Sequence, residues 1–497
     1  MKRIIILGVT LTCMSLSSFA QKVRWISSTD NHFWTEQKTG LSGKPAGTAM
    51  LVVNGDEQGV EFQAWGTCFN ELDWDALNML SRTEQEEVMS RIFSPNGDLR
   101  FTRGRLSMNA NDYSRSWYSC DEVAGDFQLR YFNIERDKRN IIPLIRAAQR
   151  YQPNLKFWMS PWCPPSWMKI NGDYPVRSSK YNHLDPQQDY ILYEGALDTD
   201  PNEVMLAGQQ KGKFPQKLAV NNFMIQDPRY LQAYANMFCR FIELYKEQGV
   251  TIDRVMYQNE AYSYTPYPGC AWTAEGTIRF NKQYLAPTLK KLQPNVQLYL
   301  GTFNTNRQDY VEKIVSQLKD NVKGLGFQWE GRENLEAMKK NYPDLKLISS
   351  ESECGNGSMD WKAGEHTFFL LSDYIGKGCD EYYIWNFILA DHGESPWGWK
   401  QNALVQVDSK TRQLRYTPEY YAVKHFSHFV APGSRMVAYN SLEEKAGLPV
   451  IVFKTSKGKY IVMMGNFTDT QHNSSVRFGS KYLNVILQPH SFNTFVE

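Results

Sequence analysis

The strongest constraint on the fold is a recurrence: from Glu61 to Phe429 an apolar strand-like run, a loop and a polar-faced helical run follow one another eight times. The strand-like runs are Glu61 to Gly66, Leu99 to Met108, Leu155 to Ser160, Asp253 to Tyr257, Val296 to Gly301, Gly324 to Trp329, Leu345 to Glu351 and Glu381 to Phe387. The clearest helical runs are Trp74 to Phe93, Arg136 to Tyr151, Pro228 to Gln248, Ala274 to Leu292 and Pro418 to Phe429. Eight strand–helix units of this kind close into a TIM (β/α)8 barrel, an α/β fold. On both sides of this block the apolar period falls to two: Val23 to Ser27 and Met50 to Asn54 before it, and Met436 to Tyr439, Leu448 to Lys454, Tyr460 to Asn466, Ser475 to Phe478 and Val485 to Leu487 after it. That alternation predicts a β-sandwich built from both termini and packed on the barrel. The expected division is a leader over 1–20, sandwich strands over 21–60, the barrel over 61–430 and the rest of the sandwich over 431–497.

Chemistry in such a barrel collects at the carboxyl ends of the strands. The fourth strand ends in Asn259-Glu260 and passes into a loop rich in Tyr, Pro and Gly, Ala261 to Gly269. A Glu there suits a general acid and equally suits a cap on the following helix. The seventh strand ends in Glu351, with Glu353 two residues on. Carboxylates at the ends of strands four and seven face each other across the mouth. A retaining glycosidase needs such a pair about 5 to 5.5 Å apart, one as acid/base and one as nucleophile. Two unrelated carboxylates in a salt network are the alternative. Other strand ends carry groups that suit sugars: Asn109-Ala110-Asn111-Asp112, Trp162, Gln328 and Trp385-Asn386. Aromatic residues make up 14% of the chain, with 14 Trp and 28 Tyr, many of them in loops. Their flat faces match sugar rings, although they also fill large cores.

Composition narrows the remaining classes. Met1-Lys2-Arg3 followed by an apolar run to Leu16 and by Ser18-Phe19-Ala20 reads as a secretory leader cleaved after Ala20, so the expected location is secreted or periplasmic. Cys13 in Leu11-Thr12-Cys13 leaves a surface lipoprotein as a lesser alternative. No later apolar run is long enough to span a bilayer. A formal charge of +2, with both signs interspersed, points to neither nucleic acid nor an anionic membrane. Seven scattered cysteines beyond Cys13 describe neither a disulfide framework nor a zinc site, although one or two bridges remain open. No metal or other cofactor is expected, the eight His having no ligand spacing, and the chain is expected to be a monomer.

Asn259-Glu260, Leu347-Ile348-Ser349-Ser350-Glu351, Ser160-Pro161-Trp162-Cys163-Pro164-Pro165-Ser166-Trp167-Met168-Lys169 and Trp385-Asn386 together resemble glycoside hydrolase family 30, which includes glucocerebrosidase and β-1,6-glucanases. The resemblance covers nearly the whole chain after the leader, and the Ser-Pro-Trp-x-x-Pro-x-Trp-x-Lys run is its most specific element. It implies Glu260 as acid/base, Glu351 as nucleophile and Asn259 as the ligand of the sugar 2-hydroxyl. It further implies Asp112 as a hydroxyl ligand, Trp162 as a pocket wall, Trp385 as the floor under the reacting sugar and Asn402 as a rim residue. Glu353 departs from the pattern as a second carboxylate beside the nucleophile; counting without gaps from Pro343-Asp344 favours Glu351. Gly326-Phe327-Gln328-Trp329-Glu330 stands where glucocerebrosidase has His and Tyr partners, which leans the reading toward the glucanase branch and a β-glucan substrate. A β-glucosidase or glucosylceramidase, a β-xylosidase or a β-fucosidase on the same scaffold is the alternative. A carbohydrate-binding barrel without catalysis is another, from a different class.

Overall fold

The computed structural model describes residues 23–46, 50–185, 222–441 and 447–497. The expected leader and Cys13 lie outside the described residues. Eight parallel strands close into a barrel in chain order: Ala64–Cys68, Arg103–Met108, Lys156–Pro161, Thr251–Met256, Gln297–Phe303, Gly324–Phe327, Lys346–Ser349 and Glu381–Ile384. The eighth returns to the first, with Tyr382 opposite Trp65 and Ile384 opposite Thr67. Their side chains fill the interior in layers. At the amino end, the Arg254 guanidinium donates to both oxygens of Glu381 at 2.8 and 2.9 Å, and the Tyr383 hydroxyl adds a third bond at 2.6 Å. Burial alone would raise the Glu381 carboxyl, but the Arg254 charge overrides it and brings it down to about 2. Above this pair Trp158, Met256, Tyr299, Ile348 and Tyr383 form an apolar layer. The layer is full: a Cβ at Gly66 would lie 2.5 Å from the Tyr383 ring, so the first strand carries glycine there.

Helices cover the outside. The longest, Pro228–Glu247, begins where the Asp227 side chain accepts from the Arg229 amide, and Pro228 costs no hydrogen bond in that first turn. Leu231, Tyr234, Phe238, Phe241 and Tyr245 recur every three or four residues and make its buried face. Two expected helices differ in detail. Trp74 to Phe93 is two helices, Glu71–Asn78 and Arg82–Phe93, because Ser81 and Glu84 form a capping box that starts the second afresh. Ala274 to Leu292 contains a π-helical turn, Asn281–Leu285, just before Pro287, whose ring nitrogen has no proton to return to the preceding turn.

The terminal segments form one mixed, hydrogen-bonded run of ten strands. Strands at both ends of that run, including Arg24–Thr29, Tyr460–Asn466 and Lys481–Leu487, surround one apolar core that contains Val462, Phe478, Leu483 and Phe495. The run therefore folds over on itself, as a sandwich does. The sequence reading missed His32–Gln37 and Ser491–Val496, and Met50–Glu61 is longer than expected. Ile451, Phe453, Ile461, Met463 and Phe492 leave the other face and join the core of the barrel. Phe492 stacks on Trp361 with ring centroids 4.4 Å apart.

His425, on helix Pro418–Ser427, pins that contact: its Nε2 meets Ser28 Oγ and its Nδ1 meets Thr494 Oγ1, both at 2.8 Å. Burial pushes this imidazole down to about 3, so it stays neutral while an unfolded histidine takes up a proton below about 6.5. Stability contributed by this site is complete above that value and is lost as pH falls toward 3. Between pH 7 and pH 5 the loss should be about 2 kcal/mol, and urea titrations should show a flatter pH dependence over that range in His425→Gln.

Candidate active site

Strand four ends at Met256, and the chain bends at the barrel mouth. The Asn259 amide donates to Pro161 O at 2.7 Å, and the Glu260 amide to Thr302 Oγ1 at 3.0 Å. Glu260 itself adopts φ +49°, as does Trp329 after strand six. Left-handed backbone at two non-glycine residues is strained, and such strain clusters at functional sites. Both line a cavity of about 320 Å³ together with Asp112, Trp162, Asn259, Ser263, Tyr267, Asn304, Glu351, Trp399 and Gln401.

One guanidinium organises its base. Arg105, from strand two, donates to Glu351 Oε2 and to Asn259 Oδ1, each at 2.6 Å, and to Ser160 Oγ at 3.1 Å. Its Cζ lies 4.7 Å from the Trp158 ring centre and 4.3 Å from that of Trp162. Asn259 Oδ1 also accepts from Thr302 Oγ1 at 3.1 Å and Gln328 Nε2 at 3.2 Å, so its amide N–H groups are left facing the cavity with no protein acceptor among the described residues. Glu260 has neutral donors: Gln328 Nε2 to Oε1 at 2.9 Å and Ser263 Oγ to Oε2 at 3.0 Å.

Burial pushes both carboxyls above the ordinary range, and at Glu351 the charge of Glu260 adds to the rise while Arg105 opposes it. At Glu260 desolvation is the largest cause of the rise. The two side chains cannot both ionise easily. Of the two, Glu351 alone is in direct contact with the Arg105 guanidinium, which favours its ionised form over that of Glu260. Asp112 is also raised, by burial first and then by these two neighbours; its Oδ1 is buried without a partner.

Residues 62–189 and 220–430 match the glycosyl hydrolase family 30 TIM-barrel domain. The chain belongs to that family. It is 24% identical over 459 residues to a putative glucosylceramidase from Caenorhabditis elegans, covering 87% of this chain and 80% of the relative. To an endo-1,6-β-D-glucanase from Aspergillus fumigatus it is 22% identical, over 53% of this chain and 48% of that one. The solved structure of SrfJ from Salmonella typhimurium superimposes with a TM-score of 0.80 at 21% identity, covering 96% of this chain and 99% of that one. Membership of family 30 makes the chain a glycoside hydrolase.

Of the residues singled out from sequence, Asp112, Trp162, Asn259, Glu260 and Glu351 meet at the cavity. Gln328 is buried behind Glu260 and Asn259. Trp385 packs behind Trp162, centroids 5.1 Å apart, and is 1% exposed; it backs the wall and is not the cavity floor. Its backbone amide is held by Ser352 Oγ, which fixes it in that second row. Asn402 is not on the rim: it donates to Glu419 Oε1 and accepts from the Met359 amide, and Gln401 takes the cavity position. Glu353 turns away to His366 Nε2 at 2.7 Å and toward Arg332, which separates it from Glu351. Sequence reasoning missed Arg105, Trp329, Tyr267 and Ser263. Arg103 and Arg105, two residues apart in a strand with no other charged residue, were the available sign that charge points into this barrel. All seven described cysteines are buried and free, and among the described residues no cluster of His, Cys, Asp and Glu could hold a metal ion.

Removing the guanidinium should let Glu351 keep its proton to higher pH. In Arg105→Gln the acid limb of kcat/KM on an aryl β-glucoside should move upward, and kcat should fall roughly a hundredfold.

Proposed function

We propose that the chain is an exported, retaining β-glycosidase acting on β-1,6-linked glucan, with Glu351 as nucleophile and Glu260 as acid/base. The observation that carries the catalytic part is the unequal company of the two carboxyls: Arg105 bonds Glu351, while Glu260 meets only uncharged donors. Glu351 attacks the anomeric carbon as the Glu260 proton passes to the departing oxygen, giving a glycosyl-enzyme. Glu260 then takes a proton from water, which attacks the anomeric carbon from the face the leaving group vacated, opposite Glu351, breaks the bond to Glu351 and restores the β configuration. The inward amide of Asn259 suits the sugar 2-hydroxyl, Asp112 suits further hydroxyls, and Trp162 offers a flat wall.

Glu351→Gln should abolish turnover, whereas Glu353→Gln should leave most of it, since Glu353 is engaged with His366. The reverse result would reassign the nucleophile. Proton NMR of the first product should show the β-anomer, and an initial α-anomer would reject double displacement.

The substrate reading rests on the strand-six run Gly326-Phe327-Gln328-Trp329-Glu330 and on walls that suit a bent chain. A β-1,6 linkage adds an exocyclic carbon between rings and bends readily into a cavity walled by Tyr267 and Trp399. Export rests on the leader-like residues 1–20. A glucosylated lipid is the second reading, favoured by the larger share of this chain aligned with the C. elegans relative and by Trp399, which is 37% exposed and offers apolar surface at the mouth. Chromatography of digests of β-1,6-glucan, cellulose, β-1,3-glucan and xylan, run beside glucosylceramide in detergent micelles, decides between them. Short glucose oligomers from β-1,6-glucan alone support the first reading; release of ceramide with an inert glucan supports the second.

A further inference from the structure

The two oxygens of Glu260 are held by different devices. Oε1 accepts from Gln328, which is itself locked by Ser350 Oγ at 3.0 Å. Oε2 accepts from Ser263 Oγ, a hydroxyl that could turn elsewhere, because a serine has one proton and two acceptor positions. Asn304 removes that freedom. Its Nδ2 donates to Ser263 Oγ at 2.5 Å, occupying an acceptor position and leaving the single Ser263 proton for Glu260. The orientation is kept at a cost, since Asn304 Oδ1 is then buried without a partner. The opposite orientation of the amide would set its oxygen against Ser263 Oγ and draw the hydroxyl proton away from Glu260. Both residues are placed firmly: the Ser263 amide donates to Glu260 O at 3.0 Å, and Asn304 directly follows strand five.

We propose that Asn304 and Ser263 form a positioning relay that sets the orientation and proton affinity of the Glu260 carboxyl, a role resting on the reading of Glu260 as acid/base. With both oxygens tethered on the protein side, the carboxyl cannot rotate, and its proton is presented to the cavity. When Glu260 has given that proton to the leaving oxygen, the Ser263 donor stabilises the carboxylate. Neither residue touches the reacting atoms, so both are positioning residues.

Loss of a donor to the ionised form raises the pKa of an acid. The alkaline limb of kcat/KM, which reports the acid in the free enzyme, should therefore move upward in Ser263→Ala by about half a pH unit or more. Asn304→Asp keeps the shape of the side chain but accepts from Ser263, so it should move the limb the same way. Ser263→Thr keeps the hydroxyl and should restore the wild-type limb. Poor leaving groups need the acid most; in both altered proteins they should lose roughly tenfold in kcat/KM, while activated aryl glycosides lose less than about twofold. The double variant should add little to either single change. The titratable groups already facing Glu260, namely Arg105, Asp112, Tyr267, Glu330, Glu351 and Cys354, are unaltered in every variant, but Asn304→Asp adds a carboxylate whose charge also raises Glu260, so Ser263→Ala carries the hydrogen-bond test.

An unmoved limb together with an equal loss on all leaving groups would overturn the relay and reduce both residues to packing. Glu260→Ala is run alongside: if it shows neither leaving-group dependence nor rescue by azide, the acid/base assignment falls and the relay with it. If Glu260→Ala behaves as an acid/base variant while the relay variants keep the wild-type limb, the relay alone is rejected.

Discussion

A buried guanidinium must be matched by charge and hydrogen bonds, or it destabilises what surrounds it. Arg105 meets that requirement through its two terminal nitrogens, its Nε staying buried without a partner, at the junction of two regions. Below it, Trp158 belongs to the apolar layer of the barrel; above it, Trp162 is a wall of the cavity. Between them its nitrogens reach Glu351, Asn259 and Ser160. Barrel packing and carboxylate placement are thus one problem with one solution. A shift in the interior layer would move the group that holds Glu351.

The two ends of the barrel use charge in opposite ways. At the amino end Arg103 and Arg254 face Asp253 and Glu381, a balanced set in which every charge has an opposite neighbour. At the mouth one guanidinium, Arg105, serves a cavity that holds Glu260, Glu351 and Asp112. Excess carboxyl groups in a desolvated space cannot all ionise, so protons are retained there at pH values where surface acids have lost them. The balanced end gives rigidity, and the unbalanced end gives chemistry. Arg103 and Arg105, one at each end, come from a single face of strand two, two residues apart.

Much of this was legible in the chain. Eight repeats of strand and helix leave few architectures open, and a strand that runs into Asn259-Glu260 and an aromatic loop marks a mouth. What escaped reading depends on partners distant in sequence. Arg105 looks like any strand arginine until Glu351, 246 residues later, is beside it. Trp385 and Trp162 carry similar local signals, and only packing decides which ring faces the cavity and which stands behind. Asn402 and Gln401 are adjacent, so a small change in chain direction exchanges their roles. The break at Ser81 was readable from the Ser-x-x-Glu spacing, but the apolar pattern ran through it and concealed it.

In the ten-stranded run, Arg24–Thr29 lies against Ser491–Val496, with Trp25 opposite Phe495. Neighbours in that sheet are therefore separated by nearly the whole chain. Closing so long a loop is entropically costly and slow, and it has no substitute in local structure. Successive barrel strands pair with one another until the eighth closes on the first, whereas the face on which Phe492 and His425 meet is covered by the last strand of the chain. A chain lacking that strand would leave apolar surface on helix Trp361–Gly376 open to water, a condition that favours aggregation.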